Sequence, residues 1–297
     1  MSGFNIASSF EIFCGNLKFS DSKQSTISSR YHAITSRINK DYYGLTSDNT
    51  SHSLYVGSYG RDTEISSSDI DMLIQLPYST YKKFNDYSSN GQSALLQEAK
   101  GVIEKTYSVT RVKADGQIIS VPFSYGINFE VLPAFINSDG KSYTFPNSNN
   151  GGSWKITDPR AEIDAIRIRD NATNHNLKRL CKMARAWKEK SEVDISGILI
   201  DILAYRFIGE WEYKDKSYLY YDFMTRDFMK YLSEISKEQY QWQAMGSGRY
   251  IYCFGRFQNK AKVAYDTAVE AINKEKDYPW TAQNKWREIY GTRFPIV

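Results

Sequence analysis

Apolar residues near the start of the chain fall at helical spacing. Phe10, Phe13, Cys14 and Leu17 stand at i, i+3, i+4 and i+7, and a second amphipathic stretch follows over 22–43. Polar residues 46–53 end that rhythm. Short apolar or alternating runs then predict strands at 54–56, 69–76, 107–112, 118–121 and 127–132, set apart by Gly, Pro, Asn and Ser. Between them Leu95, Leu96, Ala99, Val102 and Ile103 mark one face of a crossover helix over 93–105. From about residue 159 the helical period returns, predicting helices at 161–169, 177–190, 195–211, 222–235 and 261–274. The pattern describes an α+β chain in which amino-terminal helices precede a mixed β-sheet and a helical lobe follows it. The stretch Asn-Ser-Asn-Asn-Gly-Gly-Ser at 147–153 has the composition of a flexible connection, which divides the chain into 1–150 and 151–297.

Composition narrows the function classes. With 297 residues and 41% hydrophobic content the chain can bury a sizeable core. A formal charge of +4 is too slight by itself to argue for a polybasic nucleic-acid surface, and leaves phosphorylated small molecules just as plausible. The 23 tyrosines are scattered, most of them suited to core or half-buried positions, and a few able to stack on nucleobases. Cys14, Cys181 and Cys253 form no CxxC pair, and His32, His52 and His175 add no cluster at metal-ligand spacing, which argues against a zinc module or a disulfide framework. No run approaches the roughly 18 apolar residues of a membrane span, and no leader pattern is evident. A cytoplasmic location is the expectation.

The chemistry concentrates in acids. Gly57-Ser58-Tyr59-Gly60-Arg61-Asp62-Thr63-Glu64 is followed by Ser68-Asp69-Ile70-Asp71-Met72-Leu73. Two residues apart on a strand, Asp69 and Asp71 project from one face while Ile70 and Met72 point into the other. In Ile127-Asn128-Phe129-Glu130-Val131-Leu132, alternation sets Glu130 opposite the apolar face, so a second strand can deliver a third carboxylate. Three converging carboxylates raise one another's pKa unless a divalent cation neutralises them, and hard cations such as Mg²⁺ take oxygen ligands together with substrate phosphates. Gly57 lets backbone approach a phosphate closely, and Ser58 offers both an O–H and an N–H donor. The competing reading, solvent-facing acids on amphipathic strands beside an ordinary Gly-Ser turn, leaves unexplained why all three acids face one way.

In these segments the chain resembles the polymerase-β-like nucleotidyltransferases, whose signature is Gly-Ser, a turn, Asp-x-Asp and a third acid on a neighbouring strand. Gly57, Ser58, Asp69, Asp71 and Glu130 match it. Within that superfamily the Gly-Ser-Tyr-Gly-Arg-x-Thr run, Ser-Asp-Ile-Asp-Met-Leu, and Phe-Glu-Val-Leu-Pro-Ala followed by Trp154 and Asp158-Pro159 look most like the bacterial cGAS/DncV-like nucleotidyltransferases (CD-NTases). Relatives usually carry Asp at the third acidic position, so Glu130 is a departure.

The resemblance implies a nucleotidyltransferase core over 1–150, a helical lobe over 151–297 that closes a nucleotide cleft, and two Mg²⁺ ions on Asp69, Asp71 and Glu130, with Mn²⁺ able to substitute. It further implies nucleoside triphosphates as substrates, a cyclic dinucleotide or cyclic oligonucleotide second messenger as product, a role in antiphage signalling, and regulatory protein partners together with a cyclic-nucleotide-activated effector; with no Cys/His zinc insertion like that of the animal DNA-sensing relative, double-stranded DNA is not an expected partner. Leu180-Cys181-Lys182 and Ile195-Ser196-Gly197 resemble the places where relatives use Lys and Ser to contact a donor triphosphate; Lys182 reads equally as a solvated helix lysine and Ser196 as an N-cap. Arg61 could bind phosphate or pair with Asp62 or Glu64. Tyr59 reads as packing under the turn and Trp154 as a hinge or core residue. An enzyme adding nucleotides to RNA would use the same acids, and a noncatalytic nucleotide-binding module would keep the fold without turnover.

Overall fold

The computed structural model describes residues 5–296. In chain order its α-helices are α1 (Ile6–Asn16), α2 (Asp21–Tyr43), α3 (Gly57–Arg61), α4 (Tyr78–Asn85), α5 (Gly91–Glu104), α6 (Pro159–Asn171), α7 (Asn176–Lys190), α8 (Gly197–Glu210), α9 (Tyr221–Glu234), α10 (Gln258–Lys274) and α11 (Pro279–Tyr290). Its strands are β1 (Ser53–Tyr55), β2 (Ile70–Gln75), β3 (Lys113–Asp115), β4 (Ile118–Phe123), β5 (Ile127–Ile136), β6 (Tyr143–Asn147), β7 (Ser153–Thr157), β8 (Gln241–Gln243) and β9 (Tyr250–Tyr252). Contacts group the described residues into a sheet unit, Phe19–Arg61 with Ser67–Ile163, and a helical unit, which takes residues up to Lys18, Asp62–Ser66 and those from Asp164 onward.

In the sheet unit the strands run β1-β2-β5-β4-β3, with β6 paired to β5 and β7 to β6. Strands β2 and β5 are parallel, which requires a crossover, and α5 lies in that connection. The remaining pairs are antiparallel, so the sheet is mixed. Alternation decides which side each residue takes. Ile70, Met72 and Ile74 of β2 and Phe129 and Val131 of β5 enter one core, with Leu95, Leu96, Ala99 and Ile103 of α5 and Ile27, Ile34 and Ile38 of α2. On the opposite face Leu73 and Ala134 join Val56 and Tyr143 in a small second core. That leaves Asp71 and Glu130 one step along from a buried patch, on the less covered side of the same strands.

The helical unit has its own core. Phe10 and Phe13 of α1 pack on the Trp286, Tyr290 and Phe294 rings, and Trp187 of α7, Leu203 of α8 and Phe228 of α9 are buried in the same cluster. Asn5 caps α1 and Ser20 caps α2 with side-chain oxygens, and Gly44 ends α2 in the left-handed conformation that glycine adopts without strain.

Several expectations require correction. Residues 107–112 form no strand: Tyr107 and Val112 are buried, but the segment is closed by turn bonds such as Thr110 N–H to Tyr107 O. β-branched and aromatic content gave the strand signal; burial came without a partner strand. The Asn147–Ser153 stretch is no loose linker but the tight turn between β6 and β7, with Asn150 at φ 54 and Gly151 at φ 85. Turn and linker share one composition, and only the paired strands on either side distinguish them. Gly57 and Ser58 open a short helix, α3, a feature the sequence reading does not predict.

Candidate active site

The register of the sheet brings the acids together. Asp71 on β2 lies directly beside Glu130 on β5, and Ser120 on β4 is opposite Glu130 from the other side. Asp69 immediately precedes β2, where Asn128 Nδ2 donates to its Oδ1 over 3.2 Å while Ser120 Oγ bonds Asn128 Oδ1 over 3.0 Å. Ser120 and Asn128 thus orient Asp69 from neighbouring strands. Neither belongs to a recognisable motif; the signal the sequence offers is that Asn128 shares the Glu130 face two residues upstream.

Gly57 makes the space the site needs. Its φ is +59, and a Cβ added there would stand 1.8 Å from Asp71 Oδ2 and 2.4 Å from its Cγ. A side chain at this position would therefore occupy the volume of the Asp71 carboxylate. The next residue completes the contact, since the Ser58 backbone N–H donates to Asp71. Gly60 allows α3 to approach β1, its absent Cβ falling 2.4 Å from Tyr55 O. Tyr59 packs beside Phe19 and Tyr55.

Electrostatically the cluster is starved of positive charge. Burial pushes the Asp71 carboxyl up to about 7, the negative charges of Glu130 and Asp69 push the same way, and Arg61 pulls against them. Burial and Asp69 also raise Glu130, opposed by a hydrogen bond with Asp71. Arg61 is buried, and its Nη1 lies 3.3 Å from Glu162 Oε2. Its side chain is held beneath the site by a carboxylate 101 positions away in sequence, a partner that no local motif could name.

Among the described residues no group of three or more His, Cys, Asp or Glu side chains is arranged so that it could hold a metal ion by itself. The residues nevertheless fit a hard divalent cation. The donors are all carboxylate oxygens, burial and then neighbouring negative charge raise the Asp71 and Glu130 carboxyls, a charge that a cation would offset, and Mg²⁺ characteristically keeps several waters and takes only one or two protein carboxylates beside substrate phosphate.

The structure thus gathers Gly57, Ser58, Asp69, Asp71 and Glu130 within the sheet unit, and places the other two expected residues on helices of the helical unit. Lys182 on α7 is buried and bonds Asp62 Oδ1 at 2.8 Å and Glu64 Oε1 at 3.1 Å; although burial works against its charge, those two carboxylates raise its pKa. It is therefore not a solvated lysine. Ser196 is the N-cap of α8, its Oγ accepting from Leu199 N–H over 3.3 Å. Trp154 on β7 packs on Tyr81 and Phe135, and its Nε1 donates to Asn85 Oδ1, a core role.

The chain is similar to known proteins in sequence family and in fold. Residues 4–170 match the model of the Second Messenger Oligonucleotide or Dinucleotide Synthetase (SMODS) domain. Among curated proteins no sequence matches the chain. Similar solved structures include CdnC of E. coli MS115-1 with ATP, at 16% identity, TM-score 0.68, and coverage of 98% of this chain and 99% of that one. The same enzyme in a complex with a HORMA protein gives 14% identity, TM-score 0.67, and 98% of each chain. The Vibrio cholerae DncV cyclic AMP-GMP synthase with a linear intermediate gives 12% identity, TM-score 0.69, and 95% and 93% coverage. At such identities the structures establish the shared α+β, polymerase-β-like fold, while the family match covers more than half of the sequence. No helix among the described residues is long and apolar enough to cross a membrane. The chain belongs to the SMODS family of second-messenger synthetases, as a nucleotidyltransferase with the CD-NTase fold.

Proposed function

We propose that the chain is a metal-dependent synthase that joins nucleoside triphosphates into a cyclic dinucleotide or cyclic oligonucleotide for antiphage signalling. The observation that carries this reading is the parallel register that sets Asp71 beside Glu130, with Asp69 held at the same end of β2 and Gly57 leaving room for the Asp71 carboxylate. Divalent cations bound there supply Lewis-acid charge that lowers the pKa of the acceptor hydroxyl and neutralises the donor phosphates. Asp69, Asp71 and Glu130 are the residues to hold them. In this reading Glu130 takes the proton of an acceptor ribose hydroxyl as its oxygen attacks the donor α-phosphorus; the α–β phosphoanhydride bond breaks and pyrophosphate leaves. A second such step on the linear product closes the ring. Ser58 keeps Asp71 oriented through its N–H, and its hydroxyl is the proposed phosphate donor. The role proposed for Lys182 and Ser196, donation to the donor triphosphate, rests on the resemblance of their motifs alone. A complex of the similar CdnC with a HORMA protein supports the idea of a regulatory protein partner.

Incubation with labelled ATP, GTP, CTP and UTP, Mg²⁺ or Mn²⁺ and no RNA tests the proposal. A phosphatase-resistant cyclic product from the wild type, absent from the Asp69→Asn, Asp71→Asn double variant, is the expected result. Nucleotide addition only when RNA is supplied would favour an RNA-extending enzyme, and unchanged signalling by the double variant in cells would favour a noncatalytic module.

A further inference from the structure

The register of the sheet extends the acidic row by two strands. Asp71 on β2 stands beside Glu130 on β5, Glu130 is opposite Ser120 on β4, and Ser120 is opposite Lys113 on β3. These residues form one line across the sheet, in the order Asp71, Glu130, Ser120, Lys113. They also share a face, because alternation sends their chain neighbours Met72, Val131, Ile119 and Ala114 to the core on the other side. Adjacent strands lie about 4.8 Å apart, so Lys113 stands about 10 Å from Glu130 along this line.

Of the residues that make up β2, β3, β4 and β5, Lys113 is the only Lys or Arg. It is exposed, and its side chain has no ion pair or hydrogen bond among the described residues. Asp115, on the same face of β3, is the nearest acid in the chain; its Oδ1 accepts from the Gly116 N–H over 2.8 Å, and it forms no ion pair with Lys113. Beyond β3 the sheet ends, and the turn over 147–152, bonded to Gly116 O through the Ser148 N–H, holds no charged residue. A lysine on an edge strand has a plain explanation, since a charge there keeps a second sheet from pairing with the edge. That role is indifferent to what stands two strands away and to the sign of the charge. The line through the acids has a direction, however. Gly57 and Ser58 lie at its Asp71 end, where the proposed function puts the donor phosphates. An acceptor whose hydroxyl meets Glu130 then extends the other way, over Ser120. Ser120 Oγ is engaged with Asn128 Oδ1 over 3.0 Å, so the next charge on that path is the Lys113 ammonium, a point charge on a flexible stem.

We infer that Lys113 binds the 5′-phosphates of the acceptor nucleotide, so that a phosphorylated acceptor is used in preference to a bare nucleoside. The identity of the ligand rests on the synthase reading above. Lys113 takes no part in the bond change. The acceptor hydroxyl gives up its proton, its oxygen bonds the donor α-phosphorus, and the donor's pyrophosphate leaves, while the acceptor's own phosphates stay intact against the lysine. Lys113 is thus a substrate-binding residue that sets which acceptor is taken.

Transfer of a single nucleotide between unlike partners tests this on the full chain. Labelled 2′,3′-dideoxynucleoside triphosphates, which have no acceptor hydroxyl, serve as donors with Mg²⁺ or Mn²⁺. Each ribonucleoside is offered as acceptor either bare or as its α,β-methylene 5′-triphosphate, which cannot act as donor. Wild type is expected to prefer the phosphorylated acceptor by about tenfold in kcat/KM, the scale of one charge-assisted hydrogen bond. Lys113→Ala should lose most of that preference, the loss falling on the phosphorylated acceptor, and Lys113→Arg should keep it. Lys113→Glu, which retains a charge on the sheet edge, should abolish it. Urea unfolding reports that each variant is folded. A preference unchanged in Lys113→Ala and Lys113→Glu overturns the inference and leaves the edge-strand role. A loss of rate shared equally by bare and phosphorylated acceptors also overturns it, as the mark of a structural residue. Absence of transfer by the wild type to any acceptor sinks the synthase reading and this inference with it, an outcome told apart from the others because it needs no variant.

Discussion

Gly57 is the residue on which the acidic cluster depends most simply. Any side chain there meets two obstacles at once: a left-handed backbone at φ +59 and the Asp71 carboxylate 1.8 Å from the new Cβ. Gly57→Ala should cost about 1–2 kcal/mol of stability through the backbone alone, visible as a lower denaturation midpoint. It should also reduce turnover by about 100-fold, the scale of penalty for displacing a reacting group by an ångström. Turnover within about twofold of wild type would show that Asp71 has room to move. At this scale the sequence is informative about identity and poor about partnership. The alternation around Asp71 and Glu130 shows which way each acid points. That Asn128 steadies Asp69, that Ser58 spends its N–H on Asp71, and that Arg61 answers to Glu162 are consequences of strand order and chain return, which no window of neighbouring residues contains.

A few buried polar joints tie elements of the helical unit together. In the helical unit Asp201 on α8 is fully buried and receives both Arg185 Nη1 at 2.6 Å and Nη2 at 3.0 Å from α7, and Thr63 Oγ1 at 2.9 Å from the segment that follows α3. Lys182, one turn earlier on α7, holds Asp62 and Glu64 of the same segment. Removing one partner of a buried, hydrogen-bonded pair strands the other charge, so Asp201→Ala should cost about 3–5 kcal/mol in urea unfolding. Asp201→Asn, which keeps the shape and one acceptor, should cost clearly less. Equal and small losses for both would mean that water reaches Arg185. Most elements were legible because their periods are long and consistent: α2, α5, α7 and α9 all follow an apolar stripe. The short ones were not. α4 is an eight-residue helix rich in Tyr and Lys, stabilised by burying Phe84 rather than by a stripe, and β6 and β7 hide in a turn-like composition. α11 did carry a readable signal, Pro279 at its first turn and Trp286, Ile289 and Tyr290 at helical spacing.

For the whole molecule, buried acids outside the site add to the pH dependence of stability that the raised Asp71 and Glu130 bring. Burial raises Glu275 from 4.5 to about 8, reinforced by nearby Asp222, which burial itself raises from 3.8 to about 6. Glu275 Oε1 and Asp222 Oδ1 have no hydrogen-bond partner among the described residues. Between pH 4.5 and 8 the folded state keeps a proton on Glu275 that the unfolded chain releases, so stability falls as pH rises through that window. Glu275→Gln should remove much of the slope, matching wild type below the window and exceeding it by about 1–2 kcal/mol at its upper end once solvent screening is allowed for. Parallel Tm curves for the two proteins across the window would contradict this. At this scale the α+β class and the family resemblance were readable from sequence, because Gly-Ser, Asp-x-Asp and the later acid occur in the right order on the right elements. The grouping of α1 with the carboxy-terminal helices was not, since it depends on aromatic contacts closed over more than 270 positions, such as Phe10 with Trp286 and Phe294. The central claim is that the acids of β2 and β5 form one cation site, and Mn²⁺ binding followed by electron paramagnetic resonance tests it without depending on turnover. Wild type should bind Mn²⁺, more tightly with a nonhydrolysable ATP analogue present, and Asp71→Asn and Glu130→Gln should each weaken it by at least about tenfold; Mn²⁺ affinity unchanged in both variants would contradict the account.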